Sequence, residues 1–252
     1  MTNSVVIVGL GEVGSVFARG FLCLGYSVHP VTREMTMQTV ADEVTDPVLV
    51  VIAVGEADLD AQLSSVPDIW KDRLVLLQNE LLPADWQKFD LDPTVISIWF
   101  EKKKGQDSKV IIPSPVYGKH SRHVADALAS IDIATTVLGD KASLLHELVV
   151  KNVYILTTNI AGLEVGGNVG ELWSDNQTIA SMVAEDVIRL QEALTGESLD
   201  STALIEAMVS AFNGDKEHMC MGRSAPMRLQ RALALAAKYY LSLPSLERIS
   251  KI

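Results

Sequence analysis

Three glycines near the start of the chain and one lysine near its middle are the residues whose types and spacing could do chemistry. Gly9, Gly11 and Gly14 form G-x-G-x-x-G, with Leu10, Glu12 and Val13 between them, directly after the apolar run Val5-Val6-Ile7-Val8. Between a strand and a helix, the first glycine permits a tight turn and the second lets backbone approach a pyrophosphate, while the third lets helix and strand pack closely. The helix start then offers unpaired N–H groups to phosphate oxygens, so the segment reads as a dinucleotide-binding loop. The second apolar run ends in Val31-Thr32-Arg33, without the Asp or Glu that would accept hydrogen bonds from the ribose hydroxyls of NAD. Thr32 and Arg33 are therefore cofactor-binding candidates, and Arg33 suits the 2′-phosphate of NADP. Glu34 beside it keeps open the alternative of a solvated loop residue.

Residues 148–163 read LVVKNVYILTTNIAGL, in which Lys151 is the only charge. A helix apolar on nearly every side is buried, and burial lowers the pKa of a lysine and prepares it to donate a proton near neutrality. Asn159 lies about 80° round the helix from Lys151 at 3.6 residues per turn, so the two can address one polar ligand. The competing reading is a lysine reaching out from the helix edge, with Glu147 as its i,i+4 partner. The pattern alone does not separate these two.

The elements that must position these groups follow from a change of period along the chain. Residues 5–8, 27–32, 48–54, 74–78, 94–100, 109–112 and 134–138 read as strands, and 12–24, 58–63 and 120–131 as helices. Strands bounded by helices at this spacing imply right-handed crossovers and a mainly parallel sheet. A turn over 102–107, with Gly105, adds antiparallel strands at its edge. After Gly139 the strands stop, and 141–163, 176–194, 201–212 and 216–241 read as helices. The expectation is α/β: an N-terminal Rossmann-type, doubly wound, mainly parallel sheet with antiparallel edge strands over 1–139, then an all-helical substrate domain over 140–252. A junction of this kind is where small ligands are usually held. The stretch 33–47 is short, which implies that one β-α element of the usual Rossmann half is missing.

Composition narrows the function classes. The chain has 252 residues, 48% of them hydrophobic and 21% charged, which fits a folded protein with a sizeable core rather than a disordered one. A net charge of −11 opposes binding to nucleic acid or an anionic membrane, so neither is expected as a partner. Cys23 and Cys220 have no ligand-like or disulfide-like spacing, and His120 with His123 lacks a completing ligand, so no metal is expected and a cytoplasmic location fits. No signal-peptide pattern and no run of 18 apolar residues is present. The apolar fraction permits a homodimer without requiring one.

Taken together, the G-x-G-x-x-G start, Gln78-Asn79 after a strand, the helix from Lys151 to Asn159 and the following Gly170-Glu171-Leu172 resemble ketopantoate reductases (2-dehydropantoate 2-reductases). These belong to the 6-phosphogluconate dehydrogenase-like superfamily, and the sequence looks like a divergent member. That family has QNG and NGEL motifs at the two short segments, and the order of parts agrees over nearly the whole chain. The resemblance implies NADPH-dependent reduction of the ketone of 2-dehydropantoate, a step of pantothenate biosynthesis. By the same resemblance Lys151 is the catalytic proton donor, Asn159 a substrate-binding amide, and Asn79 a residue touching both nicotinamide and substrate. The chain departs from the family in three places. Gly55-Glu56-Ala57-Asp58 stands where the family has a lysine, and Ile155 where it often has a second asparagine. In the late helix Ser224 matches a family serine, but the acid that should follow is absent. Arg223, with Arg228 and Arg231, brackets Ser224 and could fork onto a substrate carboxylate, or form a basic surface face; Ser224 next to Pro226 could equally be a helix cap. These departures favour a small 2-keto acid other than dehydropantoate. The alternatives are a related 2-hydroxy-acid or imine reductase, and a non-catalytic NADP-binding redox sensor.

Overall fold

A computed structural model describes residues 3–252. They fall into two compact units that divide at Glu147/Leu148. The first runs β1 (Ser4–Val8), α1 (Glu12–Cys23), β2 (Ser27–Val31), α2 (Met37–Glu43), β3 (Leu49–Ile52), α3 (Leu59–Ser64) and β4 (Leu74–Leu76). It continues through α4 (Pro83–Gln87), β5 (Thr94–Ile96), β6 (Phe100–Glu101), β7 (Lys109–Val110), β8 (Ser114–Tyr117), α5 (Ser121–Ala129) and β9 (Thr135–Val137).

Seven strands form one sheet in the order β2-β1-β3-β4-β5-β8-β9, while β6 and β7 pair as a separate small hairpin. The run from β2 to β5 is parallel, β8 is antiparallel to β5, and β9 is parallel to β8. The expected mainly parallel sheet with antiparallel strands toward one edge is therefore what forms. Its central strands are continuous apolar runs because both of their faces are covered. On one face Val5, Ile7, Leu49, Val51 and Val75 pack with Phe17 and Phe21 of α1 and with Val124 and Leu128 of α5. Alternation sends Val6, Val50, Ile52, Leu74 and Leu76 to the other face, and they too are fully buried.

The strand order carries two functional facts. From β1 the chain goes to one side for β2 and returns to the other for β3, so the order reverses at β1/β3, and ligands of open α/β sheets bind outside the carboxyl ends of the strands at such a point. In addition, β2 is the sheet edge. A full dinucleotide half places a further strand outside it, but here only α2, capped by the Thr36 hydroxyl accepting from the Thr39 N–H at 3.1 Å, links β2 to β3. The shortness of 33–47 signalled this loss.

Strand prediction at 109–112 needs correction. Only Lys109–Val110 is a strand there, and the main-sheet strand is β8, which contains Pro115. A proline argues against a strand with neighbours on both sides, yet its carbonyl accepts from the Ser97 N–H at 2.9 Å.

The second unit is helical. The division falls inside α6 (Lys141–Val165), which is followed by α7 (Val169–Asp175), α8 (Gln177–Thr195), α9 (Ser201–Gly214), α10 (Ala225–Lys238) and α11 (Pro244–Ile249). Helix α8 touches α7, α9, α10 and α11. The expected helix over 216–241 is the second correction. Residues 216–220 run antiparallel along 167–170, with Val169 N–H donating to His218 O at 2.9 Å, Gly170 N–H to Lys216 O at 3.0 Å, and Cys220 N–H to Gly167 O at 3.0 Å. Backbone groups spent in this way cannot close helical turns, so α10 starts only after Ser224, with Pro226 in its first turn where a missing N–H costs nothing.

A buried carboxylate anchors the end of the chain. Asp186 on α8 is 2% exposed and accepts from the N–H of Ser245 at 2.7 Å and of Leu246 at 3.3 Å, and from the guanidinium of Arg189. Asp186→Ala leaves two N–H groups at the start of α11 without their acceptor and is expected to cost about 3 kcal/mol. The loss should appear as a lower urea midpoint, and Asp186→Asn, which keeps an acceptor oxygen, should cost less.

Candidate functional site

Gly9 leaves β1 with φ +89°, a left-handed conformation that a side chain would strain, and its N–H donates to Val31 O at 3.0 Å. A Cβ on Gly9 would lie 2.8 Å from the carbonyl oxygen of Ala53, and one on Gly14 would lie 2.0 Å from the carbonyl oxygen of Gly9. By contrast, a Cβ on Gly11 would meet nothing within 4 Å. Two of the glycines thus let β1, β3 and the first turn of α1 converge, and the third leaves its face open to a ligand. Gly11 is the N-cap of α1 and no side chain caps that end, so the first-turn N–H groups of Glu12, Val13 and Gly14 have no side-chain acceptor. This is a ready anion site, and it fits a dinucleotide pyrophosphate.

A crevice of about 1030 Å³ opens at this turn, and Gly9, Leu10, Gly11, Thr32 and Arg33 all line it. Sequence reasoning missed Asp58 and Gln62, which reach the same crevice from the β3 side. Nothing in the spacing marked them, because they enter from a separate connection. The charged lining is Arg33 together with the carboxylates of Glu34 and Asp58.

The loops after β3 and β4 are tied together. Gln78 is buried, and its Nε2 donates to Ile52 O at 2.7 Å and Val54 O at 3.2 Å, while its Oε1 accepts from the Leu77 N–H at 3.1 Å. Asn79 follows, and its Nδ2 donates to Glu56 Oε1 at 3.2 Å. Glu80 then turns the chain with φ +62°. Sequence alone points Glu56, with Asp58, to the dipole of the following helix and marks Gln78 only as part of the Gln78-Asn79 pair; the contact of Glu56 with Asn79 comes from the pairing of β3 with β4.

In the helical unit Lys151 is only 8% exposed, and its Nζ lies 5.5 Å from the centre of the Tyr154 ring. The ring face partly compensates for the hydration an ammonium loses on burial. Tyr154 in turn packs on Phe212 and His218, at ring separations of 5.5 and 6.2 Å. Asn159 is 4% exposed, and both ends of its amide meet protein groups. Its Oδ1 accepts from Arg228 Nη1 at 2.9 Å, and its Nδ2 donates to Cys220 O at 3.2 Å. Arg228 is 6% exposed, so it is the arginine of α10 brought to the Lys151 helix, whereas Arg223 and Ser224 lie exposed at the start of α10. Ser224 is the N-cap of α10 but makes no side-chain cap bond. Position on a buried helix face would have separated Arg228 from Arg223 had the true start of α10 been known. Burial pushes the Cys220 thiol up to about 11, with the charge of Glu171 adding to the shift, so it is a packing residue rather than a nucleophile.

The Gly170-Glu171-Leu172 segment has a structural role. Asn168 Oδ1 accepts from the Glu171 N–H at 2.9 Å and Glu171 Oε2 accepts from the Asn168 N–H at 3.1 Å, a reciprocal cap on α7. Elsewhere, a cavity of about 560 Å³ is lined by Lys71, Asp72, Asp92 and Lys119 among others. Lys119 meets Asp72 at 2.9 Å, Lys71 pairs with Asp68 and Asp92 with Lys141, and hydrogen bonds from Lys119 and Arg73 hold the Asp72 carboxyl down at about 2. Among the described residues no group of three or more His, Cys, Asp or Glu could hold a metal ion, and no helix is long and apolar enough to cross a membrane.

No protein-family model and no curated protein matches the sequence. Solved structures do match in fold. The 2-dehydropantoate 2-reductase of Methylococcus capsulatus is 12% identical with a TM-score of 0.68, covering 98% of this chain and 94% of its own. A dimeric ketopantoate reductase from Staphylococcus aureus is 16% identical with a TM-score of 0.67, covering 98% and 96%. A D-mandelate dehydrogenase in complex with NADH is 14% identical with a TM-score of 0.69, covering 98% and 96%. The chain therefore has a ketopantoate reductase-like fold over nearly its whole length.

Gly14→Ala is the direct test of the turn. Its methyl has no room against the Gly9 carbonyl, so the turn must open. Equilibrium titration should show dinucleotide affinity falling by at least about tenfold, the loss of one or more phosphate hydrogen bonds.

Proposed function

We propose that the protein is an NADPH-dependent reductase of a small 2-keto acid, with Lys151 as the proton donor. The observation that carries this reading is a lysine buried at 8% exposure on an otherwise apolar helix, in a chain whose fold matches ketopantoate reductases and a 2-hydroxy-acid dehydrogenase. A nicotinamide cofactor held at the glycine turn would supply the hydride for the keto carbon. As the C=O π electrons move to oxygen, the Lys151 ammonium would stabilise the developing alkoxide and transfer a proton to it. Lys151 is left as the neutral amine and the product is the 2-hydroxy acid.

The remaining roles follow from the side chains. Gly9, Leu10, Gly11, Glu12, Val13 and Gly14 hold the pyrophosphate through backbone N–H groups and an open turn. Thr32 and Arg33 take the adenosine ribose and its 2′-phosphate. Asn159 is the substrate-binding amide, and Arg228, whose Nη1 donates to its Oδ1 at 2.9 Å, orients it. Arg223 and Ser224 are the outer substrate contacts. A second reading, NADH as the reductant, is supported by the carboxylates of Glu34 and Asp58 that share the crevice with Arg33.

Oxidation of NADPH should be followed across a panel of 2-keto acids that includes 2-dehydropantoate and phenylglyoxylate. Lys151→Ala should lower kcat by at least about 100-fold, the usual worth of a positioned acid, while NADPH affinity stays unchanged. Binding of NADPH with no turnover of any 2-keto acid would instead favour the redox-sensor reading. Arg33→Asp should move the NADPH/NADH affinity ratio toward NADH by about tenfold or more; an unchanged ratio would remove Arg33 as the selector.

A further inference from the structure

We propose that Glu56 is a positioning residue that fixes the polarity of the Asn79 amide, so that Asn79 offers an acceptor to the carboxamide of the nicotinamide ring. The proposal rests on the nicotinamide reading above and adds a specificity device to it. Asn79 Nδ2 donates to Glu56 Oε1 at 3.2 Å. An ionised carboxylate only accepts hydrogen bonds, so it holds the NH₂ end of the amide and turns Oδ1 away from itself. The loops carrying both residues are rigid, because buried Gln78 ties the end of β4 to Ile52 O and Val54 O.

Sheet order then says which half of a dinucleotide these loops face. A dinucleotide bound at the glycine turn would straddle the reversal at β1/β3. With its adenosine half on the β2 side, where Arg33 lines the crevice, its other half would lie over the carboxyl ends of β3 and β4, which Gly55-Glu56 and Gln78-Asn79 follow. The ring carboxamide carries an NH₂ donor that matches Asn79 Oδ1. A 2-keto carboxylate has only acceptor oxygens and cannot pair with that atom. Asn79 is thus assigned to reading the ring, a narrower role than contact with both ring and substrate.

The test is equilibrium binding of NADP⁺ and of its 3-acetylpyridine analogue, which keeps the ring carbonyl but replaces NH₂ by methyl. The wild type should prefer NADP⁺ by about tenfold, the worth of one hydrogen bond whose acceptor is otherwise stranded. Glu56→Ala should bring the ratio close to one, and Glu56→Gln, whose Oε1 still accepts, should restore most of it. Both ligands are titrated into the same sample, so partial unfolding cancels from the ratio. A purely structural role for Glu56 would weaken both ligands equally and leave the ratio as in the wild type. That result, or a wild-type ratio near one, would overturn the proposal while leaving the reductase reading intact. Failure of the wild type to bind either dinucleotide would count against the reductase reading itself.

Discussion

Everything built around the crevice at the glycine turn depends on one close approach, that of Gly14 to the carbonyl of Gly9. A methyl group there would sit 2.0 Å from that oxygen. Gly9 is itself pressed against Ala53 and hydrogen-bonded through its N–H to Val31 O. Strands β1, β2 and β3 and helix α1 therefore meet at a few atoms. Phe17 and Phe21, further along α1, fill the core against α5, so moving the start of the helix also disturbs that packing. Packing of the first unit and the opening left at Gly11 are one geometric problem, solved by three residues without side chains.

The helical unit solves a different problem, that of keeping polar groups inside an apolar helix. On α6, Asn152 donates to Gln191 of α8 at 2.9 Å, and Asn159 bridges Arg228 of α10 and the carbonyl of Cys220. A buried amide without such partners would cost more than the bond gains, so each pairing admits one register of α6 against its neighbours. Lys151 directly precedes Asn152 on the same helix, so the register that these pairings fix also fixes where the lysine leaves α6, and its ammonium lies over the Tyr154 ring.

Much of this was legible because local signals and tertiary packing agree. Val5 to Val8, the three glycines and the helix after them combine into a strand-turn-helix that needs no distant information. The apolar face of 148–163 likewise announces a buried helix whatever surrounds it. The sequence was opaque where a distant segment overrode local preference. Residues 216–220 look helical, yet they give their backbone to 167–170, a partner roughly fifty residues away in sequence. Pro115 looks like a strand breaker but sits in β8, where its carbonyl is used. Glu56 and Asn79 come together only because β3 and β4 are neighbours, which is a property of sheet order and not of spacing.

Loss of a strand outside β2 bears directly on the electrostatics of the crevice at the glycine turn. With β2 at the edge, Arg33 is exposed on a rim bounded on one side only. Charges in such a place act through water: two unit charges 4 Å apart are worth about 1 kcal/mol at the dielectric of water and about 4 at an effective value of 20. Glu34 and Asp58 line the same crevice and oppose a 2′-phosphate, so the arginine acts against two carboxylates in a screened setting. Any preference of this crevice for or against a phosphate is therefore a small difference of opposed terms. It is carried by one side chain and weakened by salt, whereas the backbone N–H groups at the start of α1 are presented whatever that side chain does.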